Sequence, residues 1–175
     1  GRFLQQRPDR DRFFIATKVG RRPDPGWPKN FSREVLFQHV EDSLRRLQVE
    51  AIDLLQLHCL PMDVLQQGEV FEHLRELRRQ GKIKAFGASV ESMAEALVCL
   101  QQEGLASLQI IFNIFRRKPI DVLFEKARQK QVALIARLPL ASGLLGGKLS
   151  AETAFGERDH RQFNRDGRAF NIGET

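Results

Sequence analysis

The chain has 175 residues, of which 42% are apolar and 29% charged, and it carries a net charge of +6. That length can support one compact domain with a real core, and the balance of residues excludes a disordered or fibrous chain. No stretch approaches the length of a membrane span, and the N-terminus lacks a charged-then-apolar leader pattern, so no membrane association and a cytoplasmic setting are expected.

In chain order, the first apolar run is Phe13–Lys18, which reads as a buried strand that ends on an ionisable residue. A helix is predicted over Ser32–Leu47, where Leu36, Val40, Leu44 and Leu47 recur at helical spacing behind an N-cap at Ser32. The second strand, Ile52–His58, again ends on an ionisable residue. A second helix is predicted over Asp63–Gln80, with Val70, Leu74 and Leu77 on one face and Gly81 as its stop. A strand over Ile83–Ser89, a helix over Ser92–Glu103, a strand over Leu108–Asn113, a helix over Pro119–Gln131 and a strand over Val132–Arg137 complete the series. Strand–helix alternation of this kind specifies a parallel α/β protein.

Lys18 and His58 are therefore candidate catalytic groups. In a parallel barrel every strand points its C-terminal end to the same face, and that face carries the active site. The open-sheet alternative is weakened because no G-x-G-x-x-G follows the first strand. Gly143-Leu144-Leu145-Gly146-Gly147-Lys148-Leu149 resembles a phosphate loop, but its glycine spacing is one short and Leu149 stands where Ser or Thr is required. Cys59 and Cys99 match no metal spacing and no disulfide framework, so no metal site is expected. The positive charge is scattered in pairs (Arg21-Arg22, Arg45-Arg46, Arg78-Arg79, Arg116-Arg117), two of them near predicted helix ends, where cations suit the macrodipole. No basic stripe with interleaved aromatics appears, so nucleic-acid binding is not expected. His39, His73 and His160 are expected at the surface, and Asp53, early in its strand, is expected to be structural.

The motifs taken together resemble the aldo-keto reductases. They are Ile15-Ala16-Thr17-Lys18-Val19-Gly20, Val40-Glu41-Asp42-Ser43-Leu44-Arg45-Arg46-Leu47 and Ile52-Asp53-Leu54-Leu55-Gln56-Leu57-His58, followed by Gly81-Lys82-Ile83-Lys84-Ala85-Phe86-Gly87-Ala88-Ser89, Gln109-Ile110-Ile111-Phe112-Asn113 and Pro139-Leu140-Ala141-Ser142-Gly143-Leu144-Leu145. All stand in family order across nearly the whole chain, and the tail Arg161-Gln162-Phe163-Asn164-Arg165-Asp166-Gly167 looks like a bacterial branch. The resemblance implies a single partial (β/α)8 TIM barrel domain over 1–175, covering strands three to seven. It implies hydride transfer from NADPH to an aldehyde or ketone by a tetrad of Asp, Tyr, Lys and His. Lys18 and His58 match the last two members, whereas the Asp and Tyr would lie upstream; the chain has no tyrosine.

For the cofactor, the resemblance implies that Ser89 and Gln109 hold the nicotinamide carboxamide, with Val90 where the family often has Asn. Arg137 stands where many members place an aromatic ring against the nicotinamide, and a guanidinium can also stack on a planar ring. Leu140, Ser142 and Gly143 match the loop along the pyrophosphate. The residues that read the 2′-phosphate would fall beyond Thr175, so NADPH rather than NADH comes from the family alone.

The leading expectation is thus part of an NADPH-dependent carbonyl reductase acting on a small molecule, with the isolated chain inactive. Two alternatives stay open: a non-catalytic cofactor-binding or regulatory relative of the same fold, and a barrel lyase forming a Schiff base at Lys18. The natural substrate and the oligomeric state are not legible in the residues.

Overall fold

A computed structural model of the chain describes residues 1–163. Five strands form one wholly parallel sheet in consecutive order: β1 (Ala16–Val19), β2 (Ile52–His58), β3 (Ile83–Ser89), β4 (Leu105–Ile111) and β5 (Ala133–Arg137). The helices are α1 (Arg2–Gln5), α2 (Arg33–Leu47), α3 (Met62–Gln67), α4 (Glu69–Arg79), α5 (Met93–Cys99), α6 (Glu125–Gln129) and α7 (His160–Phe163). No helix among the described residues is long and apolar enough to cross a membrane. Consecutive order with a crossover after each strand is the topology of a (β/α)8 barrel, of which this sheet is a five-strand arc.

The two faces of the arc differ because side chains alternate along each strand. The helix-covered face holds Leu55 and Leu57 of β2, Phe86 and Ala88 of β3, and Leu108 and Ile110 of β4, all buried. Leu36, Val40 and Leu44 of α2 and Val70, Phe71, Leu74 and Leu77 of α4 join the same core. Each fully buried side chain of this size contributes about 1.5–3 kcal/mol of apolar transfer, which fixes the helices on that face. Register then fixes the other face. Lys18 lies beside Gln56, Gln56 beside Gly87 and Gly87 beside Ser107; one step further, His58 lies beside Ser89 and Ser89 beside Gln109.

Several boundaries differ from those expected, each for a local reason. β1 begins at Ala16 rather than Phe13 because the Ile15 amide donates to the Asp53 carboxylate (2.8 Å) instead of to a neighbouring strand. The same carboxylate holds Lys84 at 2.7 Å, so Asp53 ties the N-terminal ends of three strands. β4 ends at Ile111 because the Asn113 side chain accepts from the amides of Phe115 and Arg116, closing a turn. The single helix expected over Asp63–Gln80 is two helices, since Gly68 adopts a left-handed conformation (φ 77°) between them. α5 opens with a reciprocal capping box between Ser92 and Glu95 and stops at Cys99, short of the expected Glu103. The expected Pro119–Gln131 helix is a π-helical turn, Ile120–Phe124, running into α6.

Two histidines correct the surface expectation. His39 is 5% exposed, because it shares the inward side of α2 with Leu36 and Val40. The His73 side chain is only 12% exposed on α4. His160 is exposed as expected, in the one-turn α7. Cys59 and Cys99 are both free and buried.

Where β3 passes β4, a Cβ built on Gly87 would stand 2.3 Å from Ser107 Oγ and 2.5 Å from its carbonyl oxygen. Gly87→Ala is therefore expected to cost about 1–3 kcal/mol in denaturant unfolding. Gly146→Ala, where a Cβ would meet nothing within 4 Å, should stay within about 0.5 kcal/mol of the parent. Equal midpoints for the two variants would contradict this packing.

Candidate functional site

The C-terminal ends of the strands gather polar groups on the face that the helices leave open. Lys18, the third residue of β1, reaches across the concave face, and its Nζ donates to Gln109 Oε1 on β4 at 3.3 Å. Gln56, between them in the register, is 3% exposed, and its Nε2 lies 3.5 Å from Ser107 Oγ. His58 ends β2 half-buried beside the fully buried Ser89. Its backbone carbonyl accepts from Arg21 Nε at 3.2 Å.

Arg137, at the end of β5, closes the group. Its Nη1 donates to Ser89 Oγ and to Cys59 Sγ, both at 3.4 Å, and its Nη2 pairs with Glu91 Oε1 at 3.5 Å. Ser89 Oγ also lies 3.8 Å from Cys59 Sγ. The fully buried Arg116 donates from Nη2 to the Glu91 carbonyl oxygen at 3.0 Å. One guanidinium thus links the ends of β2, β3 and β5.

The sequence-derived candidates fall into two groups. Lys18, His58, Ser89, Gln109 and Arg137 are brought together at one end of the sheet, joined by the contacts above. Leu140, Ser142 and Gly143 lie in the turn after β5, at the same end of the sheet. Leu138, Ala141, Ser142 and Gly143 all have positive φ there, which shapes a tight backbone curl. Gly143 N–H already donates to the Leu140 carbonyl at 3.0 Å, and Arg161 Nη1 holds the Ser142 carbonyl at 3.3 Å. The Val90 side chain is buried in the helix-side core and offers no polar group, while its backbone amide donates to the Gln109 carbonyl at 3.0 Å. Residues 164–167 of the tail motif lie outside the described residues.

Sequence reasoning missed Gln56, Cys59, Glu91 and Arg116. A signal for Gln56 was present: Gln56 and His58 are two apart inside an apolar run, the period of one strand face.

Electrostatics at this end are positive. Burial lowers the His58 pKa below its usual value, and the charges of Lys18, Arg21 and Arg137 push it further down, against the opposing pull of Glu91. His58 is therefore neutral at pH 7, able to donate or accept a hydrogen bond. A cavity of about 800 Å³ lies at the opposite end of the sheet, lined by Asp53, Lys82 and Lys84, and holds none of these groups.

The donor set can be tested against a nicotinamide. A carboxamide needs both a donor and an acceptor, which Ser89 Oγ and the Gln109 amide supply, and a planar ring can lie against the Arg137 guanidinium. The residues fit.

Comparison with known proteins agrees with this architecture. The model of the family described as the Aldo/keto reductase family matches residues 1–174. Aldo-keto reductase YhdN of Bacillus subtilis is 30% identical over 166 residues, covering 92% of this chain and 49% of that protein. The glycerol dehydrogenase AKR11B4 of Gluconobacter oxydans superposes with a TM-score of 0.75 at 31% identity, over 91% of this chain and 50% of that one. The holo form of aldo-keto reductase AKR11C1 of Bacillus halodurans gives 0.76 at 29% identity, over 96% and 56%. The chain spans about half the length of the curated relatives it matches.

Because the folded-state pKa of His58 is depressed, its neutral form is favoured by folding. Its stability contribution is complete above about pH 6.5 and is lost as pH falls through the lower folded value. A histidine-resolved NMR titration should find His58 below about 6.5 and moved upward in Lys18→Met. An unchanged midpoint in that variant would contradict the coupling.

Proposed function

The chain belongs to the aldo/keto reductase family, and from that premise we propose that it carries the lysine–histidine half of a carbonyl-reducing site and the wall that holds an NADPH nicotinamide. The observation that carries this reading is the Lys18–Gln109 hydrogen bond across the concave face, which sets a fixed cation beside the Ser89–Gln109 pair. The substrate is an aldehyde or ketone of small size. When bound, the reduced nicotinamide supplies a hydride to the carbonyl carbon.

The protein residues then manage the carbonyl oxygen and its proton. A tyrosine is the family's proton donor, and its free pKa of about 10 is badly matched to neutral pH. Lys18 corrects this by favouring phenolate through its positive charge. The chain contains no tyrosine, so in this reading the donor and its aspartate partner come from outside these 175 residues. His58, held neutral, hydrogen-bonds the carbonyl oxygen and orients it without competing as a second cation. Gln109 positions both the Lys18 ammonium and the carboxamide, and Ser89, braced by Arg137, holds the other edge. Leu140, Ser142 and Gly143 line the pyrophosphate path.

Support for a nicotinamide cofactor is of family kind. One relative, 29% identical over 79% of this chain, is the NADH-specific methylglyoxal reductase of Escherichia coli, so the test must offer both NADPH and NADH. In the protein that carries this chain, Lys18→Met should lower turnover with an aldehyde by roughly 100-fold or more, while cofactor affinity changes little. Turnover retained in Lys18→Met would overturn the reading, and so would a borohydride-trapped substrate adduct on Lys18. Faster turnover with NADH than with NADPH would overturn the choice of cofactor alone.

A further inference from the structure

Arg137 brings a permanent positive charge to the end of β5, on a side chain that is 25% exposed. Its Nη1 donates to Ser89 Oγ and to Cys59 Sγ, both at 3.4 Å, and its Nη2 meets Glu91 Oε1 at 3.5 Å. Ser89 and Cys59 are themselves 1% and 5% exposed, so the guanidinium rests on a packed floor. Glu91 is held from two sides. Its backbone amide donates to Glu95 Oε2 at 2.8 Å, and its carbonyl accepts from the buried Arg116 at 3.0 Å. The Arg137 charge is thus placed by two strand ends and the cap of α5, and partial burial limits its screening by salt.

A serine hydroxyl has one proton to give and two lone pairs to accept with. With Arg137 donating to Ser89 Oγ, that oxygen keeps its proton for a ligand. A carboxamide held by Ser89 therefore lies two hydrogen bonds from the guanidinium. The nicotinamide ring that carries the carboxamide is neutral when reduced and singly positive when oxidised. A fixed cation at that range leaves the neutral ring alone and repels the charged one. Arg137 already acts electrostatically across this end: with burial and the charges of Lys18 and Arg21, it lowers the His58 pKa.

We infer that Arg137 makes this site discriminate between the two redox forms of its cofactor, holding the reduced form more tightly than the oxidised one. An aromatic ring in its place would act in the opposite sense, because its negative face attracts a cation. Glu91 tempers the effect by offsetting part of the guanidinium charge. The site then loads reduced cofactor and discharges it once oxidised, and the hydride step on the protein becomes less favourable in return. The inference rests on the carbonyl-reductase reading and adds to it a preference for one redox form.

The test is calorimetric titration of the protein that carries this chain with NADPH and, separately, with NADP+, which needs no turnover. The ratio of the NADP+ to the NADPH dissociation constant is expected to exceed one and to fall about tenfold in Arg137→Gln. Arg137→Lys keeps the charge, so its ratio should stay nearer the parent's than that of Arg137→Gln. Glu91→Gln removes the offsetting carboxylate and should raise the ratio. NADH and NAD+ differ by the same ring charge, so a preference for that pair leaves the test intact. A parent ratio of one or below would overturn the inference. So would Arg137→Gln weakening both forms alike, because that is the mark of a merely structural arginine. Aldehyde turnover with an unchanged ratio in Arg137→Gln would sink this inference alone. Absence of both turnover and cofactor binding would sink the carbonyl-reductase reading and this inference with it.

Discussion

The register between β3 and β4 is the constraint on which the rest depends. It shifts between Phe86 and Gly87, and the shift is passable because Gly87 leaves room for Ser107 to approach. Beyond it Ser89 stands beside Gln109, and Gln109 can receive the Lys18 ammonium across β2 and β3. A one-residue slip would turn Ser89 and Gln109 into the helix-side core and Ala88 and Leu108 onto the open face. The large apolar side chains on the helix side forbid that slip. The core therefore specifies the polar site through register rather than by touching it.

The site's chemistry follows from crowding positive groups around few acids. Lys18, Arg21 and Arg137 surround His58, and Glu91 is the carboxylate that answers them. The arrangement keeps His58 neutral and leaves the Lys18 ammonium on Gln109 Oε1. Arg137 has two duties, bracing Ser89 and pairing Glu91, which explains why a guanidinium can stand where an aromatic ring is common in the family.

Much of this was legible in the sequence, and the exceptions have physical causes. β2 and β3 were read to the residue because seven-residue, mostly apolar runs are of strand length and too short for a buried helix. β1 and the end of β4 were misplaced because the side chains of Asp53 and Asn113 capture backbone amides, Asp53 from far along the chain and Asn113 in a local turn that competes with the strand. His39 was misassigned because one polar residue on an apolar helix face reads as surface until the helix is packed. Lys18 and His58 were legible as strand ends, whereas Cys59, Glu91 and Arg116 become neighbours only after the ends of β2, β3 and β5 converge.

The most direct test of the central claim is a structure of the protein that carries this chain, determined with NADPH bound. The account predicts the carboxamide within hydrogen-bond reach of Ser89 and Gln109, with the reacting ring facing the space between Lys18 and His58. A nicotinamide bound at the other end of the sheet, in the cavity lined by Asp53, Lys82 and Lys84, would contradict it.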